Sequence, residues 1–169
     1  VKVLIVDGYN VIRSTPPYRH LAETDDLDSA RAALVSDVAA FAHGDWRATV
    51  VFDAGGNPHS DGVSHDVAGV AVVFSKHGLD ADSVIERLAR AAREAGEEVV
   101  VVTSDAQMQW AVMGGNVWRM SAAGFAEELR GEGREWRDHA PAGSSASRIE
   151  DRVPADVRKR LSRWAKGVD

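Results

Sequence analysis

Apolar residues in this chain gather into short runs that stop at, or lead into, acidic residues. Val3-Leu4-Ile5-Val6 ends on Asp7 and a turn at Gly8, and Val50-Val51-Phe52 ends on Asp53. Val99-Val100-Val101-Val102 passes through Thr103-Ser104 to Asp105, and Ala71-Val72-Val73-Phe74 leads into a loop carrying Asp80 and Asp82. Runs of this length, rich in β-branched residues and without polar alternation, predict strands buried on both faces, as in a parallel sheet covered by helices.

The pattern predicts strands over about residues 2–7, 48–52, 69–74, 98–103 and 116–120. Helical periodicity predicts Ser29–Ala42, with Asp26 or Asp28 as its cap and Ala30, Leu34, Val38 and Phe41 on one face. It also predicts helices over Ala81–Ala95, Ala106–Met113, Ala122–Arg130 and Pro154–Lys166, the last with a proline in its first turn. Ile12–Asp26, which holds Pro16-Pro17, reads as a loop. Residues 54–68 read as a turn-rich mobile loop, and 131–153 as irregular. Strands alternating with helices define an α/β class with a mostly parallel sheet and right-handed crossovers.

In such sheets the functional crevice lies at the carboxyl ends of the strands, so Asp7, Asp53, Asp105 and the Asp80/Asp82 pair are expected to converge. Clustered carboxylates raise one another's pKa unless a cation joins them. An all-oxygen donor set suits a hard divalent ion such as Mg²⁺, which points to metal-assisted phosphoester chemistry. A single Asp after a strand is more often a turn former or helix cap. Recurrence at several strand ends is what favours the site.

Composition narrows the partners. At 169 residues, 44% hydrophobic and 27% charged, the chain fits one globular domain spanning 1–169. No apolar run is long enough to cross a bilayer and no signal peptide precedes the first strand, so a cytoplasmic protein without a membrane partner is expected. The absence of cysteine excludes disulfides and thiolate metal sites and suits a reducing compartment. Val1 opens directly on a strand without an initiator methionine, as in a processed chain or an excised domain. The net charge of −6 argues against a generic nucleic-acid binder. Residues 148–169, however, carry seven Lys/Arg against four Asp/Glu and form a basic helical extension. Nothing in the sequence fixes an oligomeric state.

Asp7-Gly8-Tyr9-Asn10 after an apolar strand resembles the opening motif of NYN domains, a branch of the PIN-like nuclease superfamily. Further segments narrow the resemblance to the YacP-like NYN family of bacteria. They are Val51-Phe52-Asp53-Ala54, Val73-Phe74-Ser75-Lys76, Ala81-Asp82-Ser83-Val84-Ile85-Glu86-Arg87-Leu88, Thr103-Ser104-Asp105 with Gln109-Trp110-Ala111, and Val153-Pro154 with Trp164. The resemblance implies a PIN-like three-layer α/β/α sandwich and a Mg²⁺- or Mn²⁺-dependent endoribonuclease. It implies that Asp7, Asp82 and Asp105 line the metal site, with Asn10 and Asp53 close by. It also implies RNA turnover, with mRNA as substrate and an association with translating ribosomes.

On that basis the catalytic set is Asp7, Asn10, Asp82 and Asp105, with Asp53 a ligand, a support behind the ligands or an acceptor for the turn that follows it. Asn10 either contacts a phosphate oxygen or holds Asp7, and as a plain turn residue it is equally accounted for. Thr103 and Ser104 hydroxyls support the carboxylates, and Ser104 and Asn10 are candidate substrate contacts. Asp80 is favoured as a helix cap over an extra ligand. Arg158, Lys159 and Arg160 on the last helix are candidate phosphate contacts, weighed against a solvated basic face. His59, His65 and Asp66 match no zinc spacing. Trp110 and Trp118 are expected in the core. The competing functions are a catalytically idle RNA- or ribosome-binding adaptor, and a phosphatase or structure-specific DNA nuclease.

Overall fold

The computed structural model describes residues 1–105, 114–139 and 155–168, with backbone alone over 132–139. Its strands are β1 (Lys2–Asp7), β2 (Trp46–Phe52), β3 (Ser64–Val67), β4 (Val70–Phe74), β5 (Glu98–Val102) and β6 (Val117–Met120). Its helices are α1 (Gly8–Ser14), α2 (Pro16–Thr24), α3 (Leu27–Ala42), α4 (Ala81–Glu94), α5 (Ala122–His139) and α6 (Ala155–Ala165). The strands form one sheet in the order β3-β4-β2-β1-β5-β6, parallel throughout except for β3. Helices cover both faces, giving the expected PIN-like α/β/α sandwich with a mostly parallel sheet.

Side-chain alternation along the central strands divides the core in two. Leu4, Val6, Val50, Phe52 and Val102 face one side and pack with α1, α2, α3, α5 and α6. Val3, Ile5, Val51, Val99 and Val101 face the other and pack with α4 through Ala81, Val84, Ile85 and Ala89. Each buried aliphatic side chain of this kind contributes roughly 1.5–3 kcal/mol, which explains why these strands are apolar on both faces. Among the described residues no helix is long and apolar enough to cross a membrane.

Three expectations change. The segment 12–26 is helical, not a loop: Asp7 caps α1, and Pro16-Pro17 occupy the first turn of α2, where a missing N–H goes unneeded. The segment 54–68 contains a strand, because β3 pairs antiparallel with β4 and Val67 stands opposite Val70. The two residues between, Ala68 and Gly69, have φ of 52° and 83°, the backbone of a tight hairpin turn. The usual Asn-Gly signal is absent there, which hid the hairpin. Helix α5 runs on to His139 beyond the expected Arg130, so the first part of 131–153 is helical. The expected helix 106–113, with Trp110, lies outside the described residues. Asp26, not Asp28, caps α3 by accepting the Ser29 amide at 2.6 Å.

Thr15 links α1 to α2, and its hydroxyl oxygen is buried without a hydrogen-bond partner among the described residues. An orphaned buried hydroxyl costs about 1–3 kcal/mol, and the extended Thr15 backbone suits valine. Thr15→Val is expected to raise the melting temperature by about 2–5 °C. Thermal denaturation followed by circular dichroism checks this, and a lowered midpoint would contradict it.

Candidate active site

The site grows from the end of β1. Asp7 pairs with Val51 of β2 and stands beside Thr103, the first residue after β5. The residue is 8% exposed. Oδ1 accepts the Asn10 amide at 3.2 Å, and Oδ2 accepts the fully buried Thr103 hydroxyl at 3.4 Å. The same Thr103 hydroxyl accepts the Asp105 amide at 3.2 Å. One oxygen therefore ties the carboxylate of β1 to the loop carrying the carboxylate after β5.

Each residue of Asp7-Gly8-Tyr9-Asn10 has a separate physical reason. A Cβ at Gly8 would run into the ring of Phe52. Tyr9 packs on Phe52 with centroids 5.1 Å apart, and its hydroxyl accepts Arg31 Nε at 2.9 Å, joining α1 to α3. Asn10 Oδ1 accepts the Ser104 amide at 2.8 Å, and Ser104 Oγ accepts the Ala122 amide at the start of α5 at 3.0 Å. Asn10 thus fixes the loop after β5.

Alternation runs to the end of β1, where Asp7 continues the parity of Ile5 toward the face covered by α4, while Asp53 directly follows β2 and Asp105 follows the short loop after β5. Helix α4 begins on that face and supplies Asp82 in its first turn. Asp53 helps to dock it, with Oδ1 accepting the Gly55 amide at 3.0 Å and Oδ2 the Ala81 amide at 3.3 Å. Asp53 therefore serves as an acceptor for the turn that follows and for α4. Asp80 is the cap of α4, accepting the Ser83 amide at 2.8 Å, and the Ser83 side chain and then this amide hold its carboxyl below the usual range.

The electrostatics bind these residues into one group. Burial pushes Asp7 up to about 6, and the charge on Asp82 adds to the rise. The Asn10 amide, the Thr103 hydroxyl and the Arg13 guanidinium oppose it. Asp82 is also raised, first by burial and then by the charges of Asp80, Asp105, Glu86 and Asp53. Among the described residues no three Asp, Glu or His side chains stand close enough together to enclose an ion. The donor chemistry still fits a hard divalent ion that keeps several waters: only carboxylate oxygens are offered, and the innermost of them is held at an uncomfortable charge.

The basic helix behaves differently from expectation. Arg158 donates to Ser29 Oγ at 3.2 Å and stands 3.8 and 3.7 Å from Asp25 and Asp26. Arg160 donates to the Asp66 carbonyl on edge strand β3 at 3.1 Å and lies over the Trp164 ring. These two arginines fasten α6 to the body and cover a sheet edge, leaving Lys159 exposed between them. His65 stacks on Trp164 with centroids 4.0 Å apart. Trp118, expected in the core, is 50% exposed on β6. The loop at 54–63, expected to be mobile, is tied by Ala54 N to Ser75 Oγ, Ser60 Oγ to the Ser75 carbonyl and Asn57 Nδ2 to the Ala165 carbonyl, at 2.8, 2.8 and 2.9 Å. Sequence reasoning missed Ser75, whose burial had no signal beyond its place after an apolar run.

A three-layer α/β/α sandwich with carboxylates at the carboxyl ends of its central parallel strands is the class this fold and site define. The sequence profile of the YacP-like NYN domain matches residues 4–166, and the chain belongs to that family. It is 30% identical to the uncharacterized protein YacP of Bacillus subtilis over 182 residues, covering 98% of this chain and 97% of the relative. The crystal structure of Rae1 (YacP) from Bacillus subtilis is similar with a TM-score of 0.68 at 28% identity, over 99% of this chain and 96% of that one. A tryptophan-to-leucine mutant of the same protein gives 0.67 over 96% and 98%.

The state of Asp7 sets a pH dependence in metal-free protein. A carboxyl whose folded pKa lies near 6, against 3.8 when unfolded, stabilises the fold while protonated, below about pH 4, and that contribution is lost as pH rises through 6. The loss amounts to roughly 3 kcal/mol at most. Urea denaturation in EDTA from pH 4 to 7 is expected to show it, and Asp7→Asn to flatten the profile. An identical slope in both proteins would remove Asp7 as its source.

Proposed function

We propose that this protein is a metal-dependent endoribonuclease that hydrolyses RNA phosphodiester bonds. The observation that carries the proposal is the shared field of Asp7, Asp82 and Asp105: a buried carboxylate pushed up to about 6, in part by the charge of Asp82, which is itself raised first by burial and then by acidic neighbours that include Asp105. Family membership supports a nuclease. An idle adaptor would have no physical need to retain mutually repelling carboxylates in a crevice.

Asp7, Asp82 and Asp105 would hold Mg²⁺ or Mn²⁺, which when bound lowers the pKa of a water and offsets charge on the phosphate. Thr103 sets the rotamer of Asp7 and the position of Asp105. Asp53 and Asp80 hold the first turn of α4 so that Asp82 enters the crevice. Asn10 locks the loop after β5 and offers an amide N–H toward a phosphate oxygen, while Ser104 keeps its hydroxyl proton free to donate.

RNA is proposed as substrate, mRNA above all, in a cytoplasmic setting. A net charge of −6 repels free nucleic acid, so presentation by a translating ribosome is part of the proposal. Side-by-side incubation of single-stranded RNA, DNA and a phosphomonoester, with Mn²⁺ or with EDTA, is expected to give endonucleolytic RNA cleavage in Mn²⁺ alone. Preferred cleavage of DNA or of the monoester would replace the proposal with the corresponding activity.

Asp82 and Asp80 separate the ligand from the cap. Asp82→Asn is expected to lower cleavage roughly a hundredfold or more. Asp80→Asn is expected to keep most activity and stability, because asparagine caps helices about as well as aspartate. Equal losses in the two variants would make Asp80 part of the metal site.

Of Arg158, Lys159 and Arg160, Lys159 is left to test as a phosphate contact, since the two arginines have partners within the chain. Lys159→Glu is expected to reduce the salt slope of single-stranded RNA binding by about 0.7 without moving the melting temperature. An unchanged slope would assign α6 a purely structural role.

A further inference from the structure

The segment that follows Asp53 runs alongside the loop joining β4 to α4, and the two are laced together. The Ala54 amide donates to Ser75 Oγ at 2.8 Å, the Gly78 amide to the Gly55 carbonyl at 2.9 Å and the His77 amide to the Ser60 carbonyl at 3.0 Å. Gly55 makes the closest approach. A Cβ there would overlap the Leu79 carbonyl oxygen and stand 3.1 Å from its carbon and 3.5 Å from Asp53 Oδ1. Glycine alone lets two backbones lie this close. Gly56 is different: a Cβ there meets nothing within 4 Å among the described residues.

The consequence falls on Asp82. Leu79 lies three residues before it, and between them Asp80 caps α4 and the Ala81 amide donates to Asp53 Oδ2 at 3.3 Å. Asp53 spans the same gap, since its Oδ1 takes the Gly55 amide at 3.0 Å. The separation of Gly55 from Leu79 therefore sets how closely the first turn of α4 sits against the end of β2. The far end of the segment is anchored on another helix. Asn57 Nδ2 donates to the Ala165 carbonyl at the end of α6 at 2.9 Å, while Asn57 Oδ1 takes the His59 amide at 3.0 Å and fixes the turn. Gly167 backs onto the His59 backbone so closely that a Cβ would overlap it.

We propose that Gly55 and Asn57 are positioning residues of the carboxylate crevice: Gly55 sets the seat of Asp82 through its contact with Leu79, and Asn57 holds Gly55 in place from α6. The proposal rests on the metal-binding part of the function proposed above. Its structural alternative is a loop that adds stability to the whole fold without bearing on Asp82.

The experiment measures Mn²⁺ affinity by calorimetry, without RNA, in the parent, Gly55→Ala, Gly56→Ala and Asn57→Ala. Amide hydrogen exchange and melting temperature are recorded in EDTA. Gly55→Ala is expected to weaken Mn²⁺ binding roughly tenfold or more, and Asn57→Ala about threefold, for one lost hydrogen bond. Both are expected to speed exchange of the Ala81 and Ser83 amides while leaving the central strands protected. Gly56→Ala is expected to match the parent. Unchanged Mn²⁺ affinity in Gly55→Ala overturns the inference, as does an equal loss in Gly56→Ala. A loss of affinity accompanied by faster exchange throughout the sheet also overturns it, in favour of the structural alternative. Should Gly55→Ala not fold, Asn57→Ala decides by the same criteria. A parent that binds no Mn²⁺ overturns the metal reading and the inference with it. A parent that binds Mn²⁺ but cleaves no RNA overturns the nuclease reading alone.

Discussion

The hydroxyl of Thr103 donates to Asp7 Oδ2 and accepts the Asp105 amide, and it does so from a fully buried position. Two strands that are neighbours in space but far apart in sequence are thereby locked at their carboxyl ends. A hydroxyl is the smallest side-chain group that can both donate and accept, and threonine is β-branched and at home at the end of a buried strand. Valine would fit the space and leave Asp7 with one hydrogen-bond donor fewer. Serine would keep the hydrogen bonds with a freer χ1. The position of the innermost carboxylate therefore depends on a residue that carries no charge and touches no substrate.

From that lock the rest of the site follows by parity. Alternation of two residues sends Ile5, Val51 and Val101 to the face covered by α4, and Asp7, the last residue of β1, continues it. The chain lays β2 on one side of β1 and later returns through α4 to lay β5 on the other. Connections that diverge in this way leave a crevice at the strand ends. Helix α4 closes its back, held by Asp53 through the Ala81 amide and by its own cap Asp80. Two of the acidic residues thus spend their hydrogen-bonding capacity on placing a third.

The central strands, and with them the places of Asp7, Asp53 and Asp105 at or just after strand ends, were legible in the sequence because they rest on uninterrupted apolar runs, whose ends are sharp. Capping by Asp80 was legible because a carboxylate three residues before Ser83 has a local partner. What was hidden depends on tertiary context. Pro16-Pro17 reads as a break by propensity, yet it opens α2 because Thr15 stays extended and the first turn has no use for those N–H groups. The β3–β4 hairpin turns on Ala68-Gly69, where pairing with β4 holds an alanine at positive φ. Trp118 looked like core by size alone, but on edge strand β6 it is half open to solvent.

Charge is distributed by the same economy. The basic helix α6 reads in sequence as a surface for anions, yet its two best-placed arginines answer anionic groups within the chain. Arg158 meets Asp25, Asp26 and Ser29 at the start of α3, and Arg160 meets the open carbonyl edge of β3. An uncovered strand edge invites pairing with another chain, so the second contact has a protective consequence. Net positive charge on a helix therefore says little about nucleic-acid binding until its internal partners are subtracted.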